Sequence, residues 1–507
     1  MTGAPVSRRA VLATSSLTVF VIALNTTAIN AAVNALADDL DMDTTTLAWA
    51  LNAYILAVAA LVLPAGRLGD ILGMRSVFLI GLGLFAVGAV VAAVAQDGPT
   101  LVGGRALQGA GAAFLMPATI SALNLAFPPQ ERSSALGAWG AAAGVGFALG
   151  PLYGGLWTDG VTWRGLYWAD LVMIAVAAAM SARYLGPLPR QRPAPRLDLV
   201  GALILAVAIL LLVGGLQQGQ SAGWGSPAIV GALAGGVVLA VVFVAIERRR
   251  AAPMVHLRLL RIRAYAAGNV VTLLATVGLI GFLFFFNLYA QSVVTFDYSA
   301  VGASLVLLPY GISLFVTSLL AGRLGDRVGY VIPVGGGLVL MAVGAVLFAT
   351  VDDVTSLGDL WLPLVVSGVG LGACFATASA APLGSVPPEL TGEAAGTLNV
   401  SRYIGGALSV AVGGALFLGQ GVDAMNDALA GSGVTGVEES SMDAALTGSP
   451  AGLQTAIDAA GGAARQAEVY DAARTGMEAG FAAASWMIAV CSAVGAVVAF
   501  WGLRRAR

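Results

Sequence analysis

The hexapeptide AGRLGD stands at Ala65–Asp70 and again at Ala321–Asp326. Each copy closes a long apolar run, and another glycine follows three residues after the aspartate, Gly73 in one copy and Gly329 in the other. Glycines such as Gly66 and Gly322 let helices approach closely and let the chain reverse in a tight turn. An acid such as Asp70 can sit against a helix N-terminus, where its charge is favoured, and Arg75 is near enough in sequence to pair with it. A turn repeated this far along the chain points to two related halves, an arrangement typical of secondary transporters.

Composition sets the medium. Hydrophobic residues make up 58% of the 507 and charged ones only 10%, where a soluble domain is about a quarter charged. Runs of roughly 20 apolar residues, enough to cross about 30 Å of hydrocarbon, recur fourteen times: 11–34, 47–66, 76–96, 99–124, 133–157, 166–186, 198–217, 227–246, 264–291, 300–321, 332–350, 360–382, 394–418 and 480–503. Backbone polar groups in lipid have to be satisfied within the segment, so these spans read as helices. The expected fold class is therefore an all-α polytopic membrane protein.

With the N-terminus inside, Arg8, Arg9, Arg67, Arg75, Arg132, the 183–196 and 248–263 clusters, Arg323, Arg327 and the terminal arginines fall on the cytoplasmic side. Outside loops keep only Arg164, Arg465 and Arg474 against acids such as Asp38, Asp39, Asp352 and Asp353. This positive-inside pattern puts both termini in the cytoplasm. Ser7-Arg8-Arg9 resembles a twin-arginine signal and Ala35-Leu36-Ala37 a cleavage site, but Asn25, Asn30 and Asn34 are poor choices for a discarded segment. The two cysteines, Cys374 and Cys491, fall inside expected helices and read as free thiols.

The two AGRLGD turns lie between spans 2 and 3 and between spans 10 and 11. The expected organisation is a six-helix bundle over 1–197, two linker helices with a connector over 198–263, and a second six-helix bundle over 264–507. Residues 419–478 form the one long polar stretch, expected as a solvated outer insertion with a short helix near 451–476.

Further motifs lie within spans. Arg105 and Gln108 occur in span 4, where an arginine is costly unless it faces the bundle interior; the other reading is an arginine reaching out to the interface. Span 5 carries Gly146, Gly150, Pro151, Gly154 and Gly155. Small residues four apart admit a neighbouring helix, and the proline bends its own. Span 13 holds Asn399 and Arg402, with no other charge over 394–418.

These residues together resemble the major facilitator superfamily, and within it the fourteen-helix drug:proton antiporters, over nearly the whole chain except 419–478. The resemblance implies the major facilitator fold and a turn latch formed by Gly66, Asp70, Gly73 and Arg75, here with Ile71 and Met74 at usually basic positions. It also implies an antiporter signature in span 5 that gives the halves a smooth surface on which to rock. In span 1, Asn25 stands where the family usually has its proton-carrying aspartate, while Asn30 is retained; in span 6, Asp170 stands where it has asparagine. The expectation is that Asp170 takes over protonation with Arg105 as the tuning charge; the alternative is a structural Asp170 paired with Arg164 or Arg105. The family's cavity-lining spans 1, 4, 9 and 12 contribute Asn25, Asn30, Gln108, Phe114, Met116, Phe282, Phe285, Asn287, Tyr289, Gln291, Phe375 and Thr377 as substrate-cavity candidates, besides Asn399 and Arg402. An arginine without a second buried acid makes neutral, anionic or zwitterionic amphiphiles more plausible cargo than dications.

The expected activity is proton-coupled efflux of amphiphilic drugs or antibiotics from the cell membrane by a monomer. Its partners are the substrate, protons and the lipid bilayer, with no nucleic acid, and it draws on the proton gradient without a cofactor. Alternatives are an exporter dedicated to one endogenous metabolite, facilitated diffusion without protons, and a non-transporting sensor. With no lysine there is no phosphate-loop motif. The single histidine, His256, sits on the connector with no partner visible in sequence, so neither a zinc site nor an enzyme is expected.

Overall fold

A computed structural model describes residues 7–503 apart from 43, 129, 185–197, 251–252, 254–255, 351–356, 388–389 and 447–449. Most of the Arg/Pro-rich linker, Asp352, Asp353 and the terminal arginines therefore lie outside the described residues. No strand occurs among those described. The long helices are α1 (Arg8–Ala28), α2 (Thr44–Leu72), α3 (Met74–Ala93), α4 (Gly98–Ala126), α5 (Arg132–Gly160), α6 (Arg164–Tyr184), α7 (Leu199–Ala222) and α8 (Pro227–Glu247). They continue with α9 (Arg263–Gln291), α10 (Leu308–Val328), α11 (Val331–Ala349), α12 (Leu357–Thr377), α13 (Thr391–Gly431) and α14 (Gln466–Gly502).

Thirteen of these are long and apolar enough to cross a membrane. The other, α10, carries Arg323, Asp326 and Arg327 at its end, yet packs among α5, α11 and α12 like its neighbours. The expected span 300–321 is broken: a short helix, Ala300–Val306, precedes α10.

Packing repeats between the halves. In the first, α1 packs on α5 and α6, α4 on α2 and α3, and α6 on α3; in the second, α9 packs on α13 and α14, α12 on α10 and α11, and α14 on α11. The halves meet through two equivalent pairs, α5 with α10 and α2 with α13. Helices α7 and α8 pack on each other, and α7 leans on α2 and α13 from outside. Val230, Val237, Val238 and Val241 of α8 are exposed, as a lipid-facing helix requires.

The long polar stretch departs from expectation. Its ends are helix: α13 runs on to Gly431 and α14 begins at Gln466, with Glu439–Leu446 and Pro450–Ala459 between them. Met425, Leu429, Met442, Leu446, Ile457 and Met477 are buried there. At 1.5 Å per residue, the 41 residues of α13 span about 60 Å, twice the hydrocarbon thickness, so this part stands clear of the bilayer as a small helical cap.

Candidate functional site

Inside the first half, one carboxylate on α6 collects polar groups from three other helices. Asp170 of α6 is fully buried. Its Oδ2 accepts from Asn25 Nδ2 of α1 at 2.5 Å and from Gln108 Nε2 of α4 at 3.5 Å, and its Oδ1 accepts from the Tyr153 hydroxyl of α5 at 3.4 Å. Arg105 Nη1 donates to Asn25 Oδ1 at 2.5 Å and to Gln108 Oε1 at 3.3 Å. The Asn25 amide thus stands between a cation and an anion, touching both.

Arg105 is 1% exposed, with its guanidinium carbon 4.6 Å from the centre of the Tyr54 ring. It faces the bundle interior and does not reach for the interface. Two further nitrogens, Nε and Nη2, have no acceptor among the described residues. Arg164 is no partner of Asp170, because it pairs with Asp39 at 2.5 Å. Asn30 is a correction: it falls in a short 3-10 turn after α1 and is exposed, apart from the cluster. A helix break there carries it beyond the α1 face that reaches Asp170.

The AGRLGD turns close one end of the molecule. Gly73 begins α3 at φ 90° and Gly329 ends α10 at φ 84°, backbone that only glycine adopts without strain. A Cβ on Gly66 would stand 2.4 Å from the Gly392 oxygen of the other half. One on Gly137 would stand 3.1 Å from Gly322 Cα. The two interfaces therefore pinch together by the same device. Asp326 Oδ2 accepts from Ser134 N at 3.0 Å, and from its hydroxyl, at the start of α5 in the opposite half. That is the helix N-terminal seat expected of Asp70, whose own side chain lies outside those described. Arg75 bonds the Ala182 oxygen at 3.2 Å.

A second contact at this end escaped the sequence reading. Arg67 Nη1 of α2 meets Glu393 Oε2 of α13 at 3.4 Å, with side-chain exposures of 3% and 0%. The connector joins them: His256 N donates to Glu393 Oε1 at 2.5 Å, and His256 Nδ1 lies 2.9 Å from Oε2. Arg67 Nη2 also reaches the Pro253 oxygen at 3.4 Å. His256 therefore has a partner, contrary to the expectation that it had none. The sequence hint was Glu393, an acid one residue before an apolar span.

The span-5 glycines need a second correction. Gly146, Gly150 and Gly154 press against α1 in their own half: their Cβ atoms would stand 2.6 Å from Phe20 O, 1.9 Å from Thr27 Oγ1 and 2.1 Å from Ala28 O. The face of α5 toward the second half carries Gly137, Gly144 and Gly155 instead, against Gly322, Leu314 and Val301. A spacing of four tracks one neighbour, and the interleaved spacing of seven and eleven tracks another. Pro151 has no N–H for the Phe147 carbonyl four residues earlier. The Thr27 hydroxyl of α1 supplies that hydrogen bond at 3.1 Å.

A family model for the major facilitator superfamily matches residues 15–410. The chain belongs to the major facilitator superfamily. It is thus a transport protein and not an enzyme. It is 33% identical over 396 residues to the puromycin resistance protein pur8 of Streptomyces alboniger, covering 77% of this chain and 78% of that one. It is 34% identical over 409 residues to the probable actinorhodin transporter of Streptomyces coelicolor, covering 78% and 70%. The crystal structure of the human organic anion transporter MFSD10 superposes with a TM-score of 0.64 over 97% of this chain and 99% of that one, at 15% identity, which speaks to the fold alone.

The superfamily's cavity positions divide in two. Phe282, Phe285 and Tyr289 are buried in an aromatic core of the second half: Phe282 stacks on Tyr310 at 4.7 Å, Phe285 on Phe417 at 5.7 Å and Tyr289 on Phe481 at 4.7 Å. Their rings fill their own bundle, so they are corrected from lining to packing. Thr377 is buried and bonds its own helix at Ala373 O. Phe114, Met116 and Asn287 are half-buried, and Gln291 is exposed. Arg402, Asn399 and Phe375 come together, with Arg402 Nη1 on Asn399 Oδ1 at 3.0 Å and its guanidinium 5.2 Å from the Phe375 ring. An open apolar hollow of about 870 Å³ lies elsewhere, between α10 and α12 along Ile312, Val316 and Trp361. Those side chains are exposed on the outer surface, as a lipid-facing furrow would be. Among the described residues no group of His, Cys, Asp and Glu is arranged to hold a metal ion.

Proposed function

We propose that this chain exports amphiphilic drugs or antibiotics across the cell membrane by proton-coupled antiport, with Asp170 as the proton carrier. The observation that carries the reading is one carboxylate buried within the first bundle, sharing an amide with a buried arginine that makes no direct ion pair with it. An ionisable group inside a membrane is expensive unless it serves a proton or ion path. A proton arriving at Asp170 cancels its charge, weakens its hold on the Asn25 amide and leaves Arg105 as the stronger claimant. That redistribution alters the contacts of α1, α4, α5 and α6 at once. The superfamily match and the relatives named for puromycin resistance and actinorhodin transport support export as the direction.

In this reading residues 1–197 and 264–507 are the moving halves, and 198–263 tether them. Both termini and the AGRLGD turns face the cytoplasm, so the conformer is the one shut to the cytoplasm. Cargo is held between the halves near Phe114, Met116, Gln108, Asn287, Phe375 and Arg402, in a chain that works as a monomer in the plasma membrane. A second reading, export of one endogenous product, is favoured by the single compound in the name of the actinorhodin relative.

Everted vesicles with a chemically diverse substrate panel separate these readings. Wild type should accumulate several amphiphiles only under a proton gradient, and Asp170→Asn should abolish the gradient's effect. Gradient-driven uptake surviving in Asp170→Asn would rule out the carboxylate's role, and uptake of one compound alone would favour the dedicated exporter.

A further inference from the structure

We propose that Arg402 is the receptor for an ionised oxygen acid, a carboxylate or acidic phenol, on the exported amphiphile. The proposal deepens the export reading and rests on it for the identity of the ligand as cargo. Arg402 lies on α13, is 6% exposed, and is enclosed by both halves. Its guanidinium carbon is 5.2 Å from the centre of Phe375 in its own half and 5.5 Å from that of Trp139 on α5 of the other. Trp139 is itself fully buried and fixed by a bond from its indole nitrogen to Thr119 Oγ1 at 3.2 Å.

The partners of Arg402 are neutral. Nη1 donates to Asn399 Oδ1 at 3.0 Å and Nη2 to Ser379 Oγ at 2.5 Å, while Nε meets no acceptor among the described residues. None of the ion pairs resolved among those residues includes it. Glu393, the nearest acid along α13, is nine residues and about 13 Å away along the axis, engaged by Arg67 and His256. A guanidinium keeps its charge in any protein setting, and a buried charge without a counter-ion is costly.

That cost has a use if the counter-ion is the cargo. The planar fork matches the two oxygens of a carboxylate, and the flanking rings offer flat apolar faces to the body of an aromatic amphiphile. Because Trp139 belongs to the opposite half, the rocking that separates the halves also uncovers the cation. Asn399 and Ser379 hold the fork in place until the anion takes their positions.

The test is direct binding to the full-length protein in phosphatidylcholine nanodiscs, read by tryptophan-to-pyrene energy transfer against empty nanodiscs. The probes are 4-(1-pyrenyl)butyrate and its methyl ester, alike except for the charge. Wild type should prefer the acid by about tenfold or more, as a charge-assisted contact implies. Arg402→Gln should bind acid and ester alike, and Arg402→Lys should keep a reduced preference for the acid. Equal binding of acid and ester by wild type, or an acid preference intact in Arg402→Gln, would overturn the proposal. If Arg402→Gln fails to fold, an Arg402→Lys preference equal to wild type overturns it and a reduced one supports it. Binding is read without transport, so a failure of export in vesicles leaves this result standing on its own.

Discussion

Replacing Glu393 with glutamine should release the closed end of the molecule. The substitution keeps the volume and one carbonyl oxygen but removes the charge that Arg67 and the His256 backbone both address. Hydrogen bonds to a charged group contribute about 1.5–3 kcal/mol each, and a neutral one about 1 kcal/mol. With two such contacts each weakened by about 0.5–2 kcal/mol, the closed form should lose on the order of 1–4 kcal/mol, with its upper end near the roughly 3–5 kcal/mol of breaking a buried pair outright. Once the halves part, Arg67 and residue 393 meet water, so the loss falls on the closed form alone. At about 1.4 kcal/mol per decade, the open-to-closed ratio should rise roughly 5- to 700-fold. Spin labels on Ser76→Cys and Val328→Cys, both exposed at this end in opposite halves, would report it by double electron–electron resonance once Cys374 and Cys491 are replaced. A distance distribution that moves by less than about twofold in population, in a protein that still melts cooperatively, would refute the reasoning.

Two further tests address neighbouring features. Thr27→Val removes the hydroxyl that serves the Phe147 carbonyl. Interhelical hydrogen bonds in membranes average about 0.6 kcal/mol and reach about 1.7, so the thermal midpoint in detergent should fall modestly; no change would mean that another donor reaches that carbonyl. At the outer rim, a bond from Arg164 holds the Asp39 carboxyl below the usual carboxylate range, with help from the Trp163 indole. A depressed folded value means that its stabilisation is present above the unfolded value near about 3.9 and fades as pH falls through the folded one. Because the pair is largely exposed, the effect should stay within about 1 kcal/mol. Asp39→Asn should melt slightly below wild type at about pH 6, and the gap should shrink steadily as the pH falls below the unfolded value; a gap that does not narrow in acid would contradict the assignment.

The fold was largely legible because lipid enforces it: each span has to be apolar and about 20 residues long, and the repeated turn displays the duplication. Arg105, Gln108 and Asp170 were legible for the same reason, as polar groups in hydrocarbon announce themselves. Partners are another matter. Nothing in the spacing says that Asn25 stands between Arg105 and Asp170, because that depends on how four helices are rotated. Gly146, Gly150 and Gly154 were visible as a stripe, but a stripe does not name its neighbour, and α1 is the one it meets. Phe282, Phe285 and Tyr289 failed as cavity residues because an aromatic ring suits a packed interior as well as a binding surface. The stretch 419–478 looked solvated since its buried face is mostly alanine, methionine and single leucines, too sparse to stand out from polar company.

One short piece of α1 ties the acid to the gate. Asn25 and Thr27 are two residues apart, which on a helix sets them about 200° apart around the axis. One grips Asp170 on α6 while the other completes the broken ladder of α5 at Pro151. α1 is thus an axle wedged between two bearings, and a twist that frees one side loads the other. Since α5 also carries the glycines that touch the opposite half, the seat of this buried carboxylate and the seam between the halves share one rigid linkage.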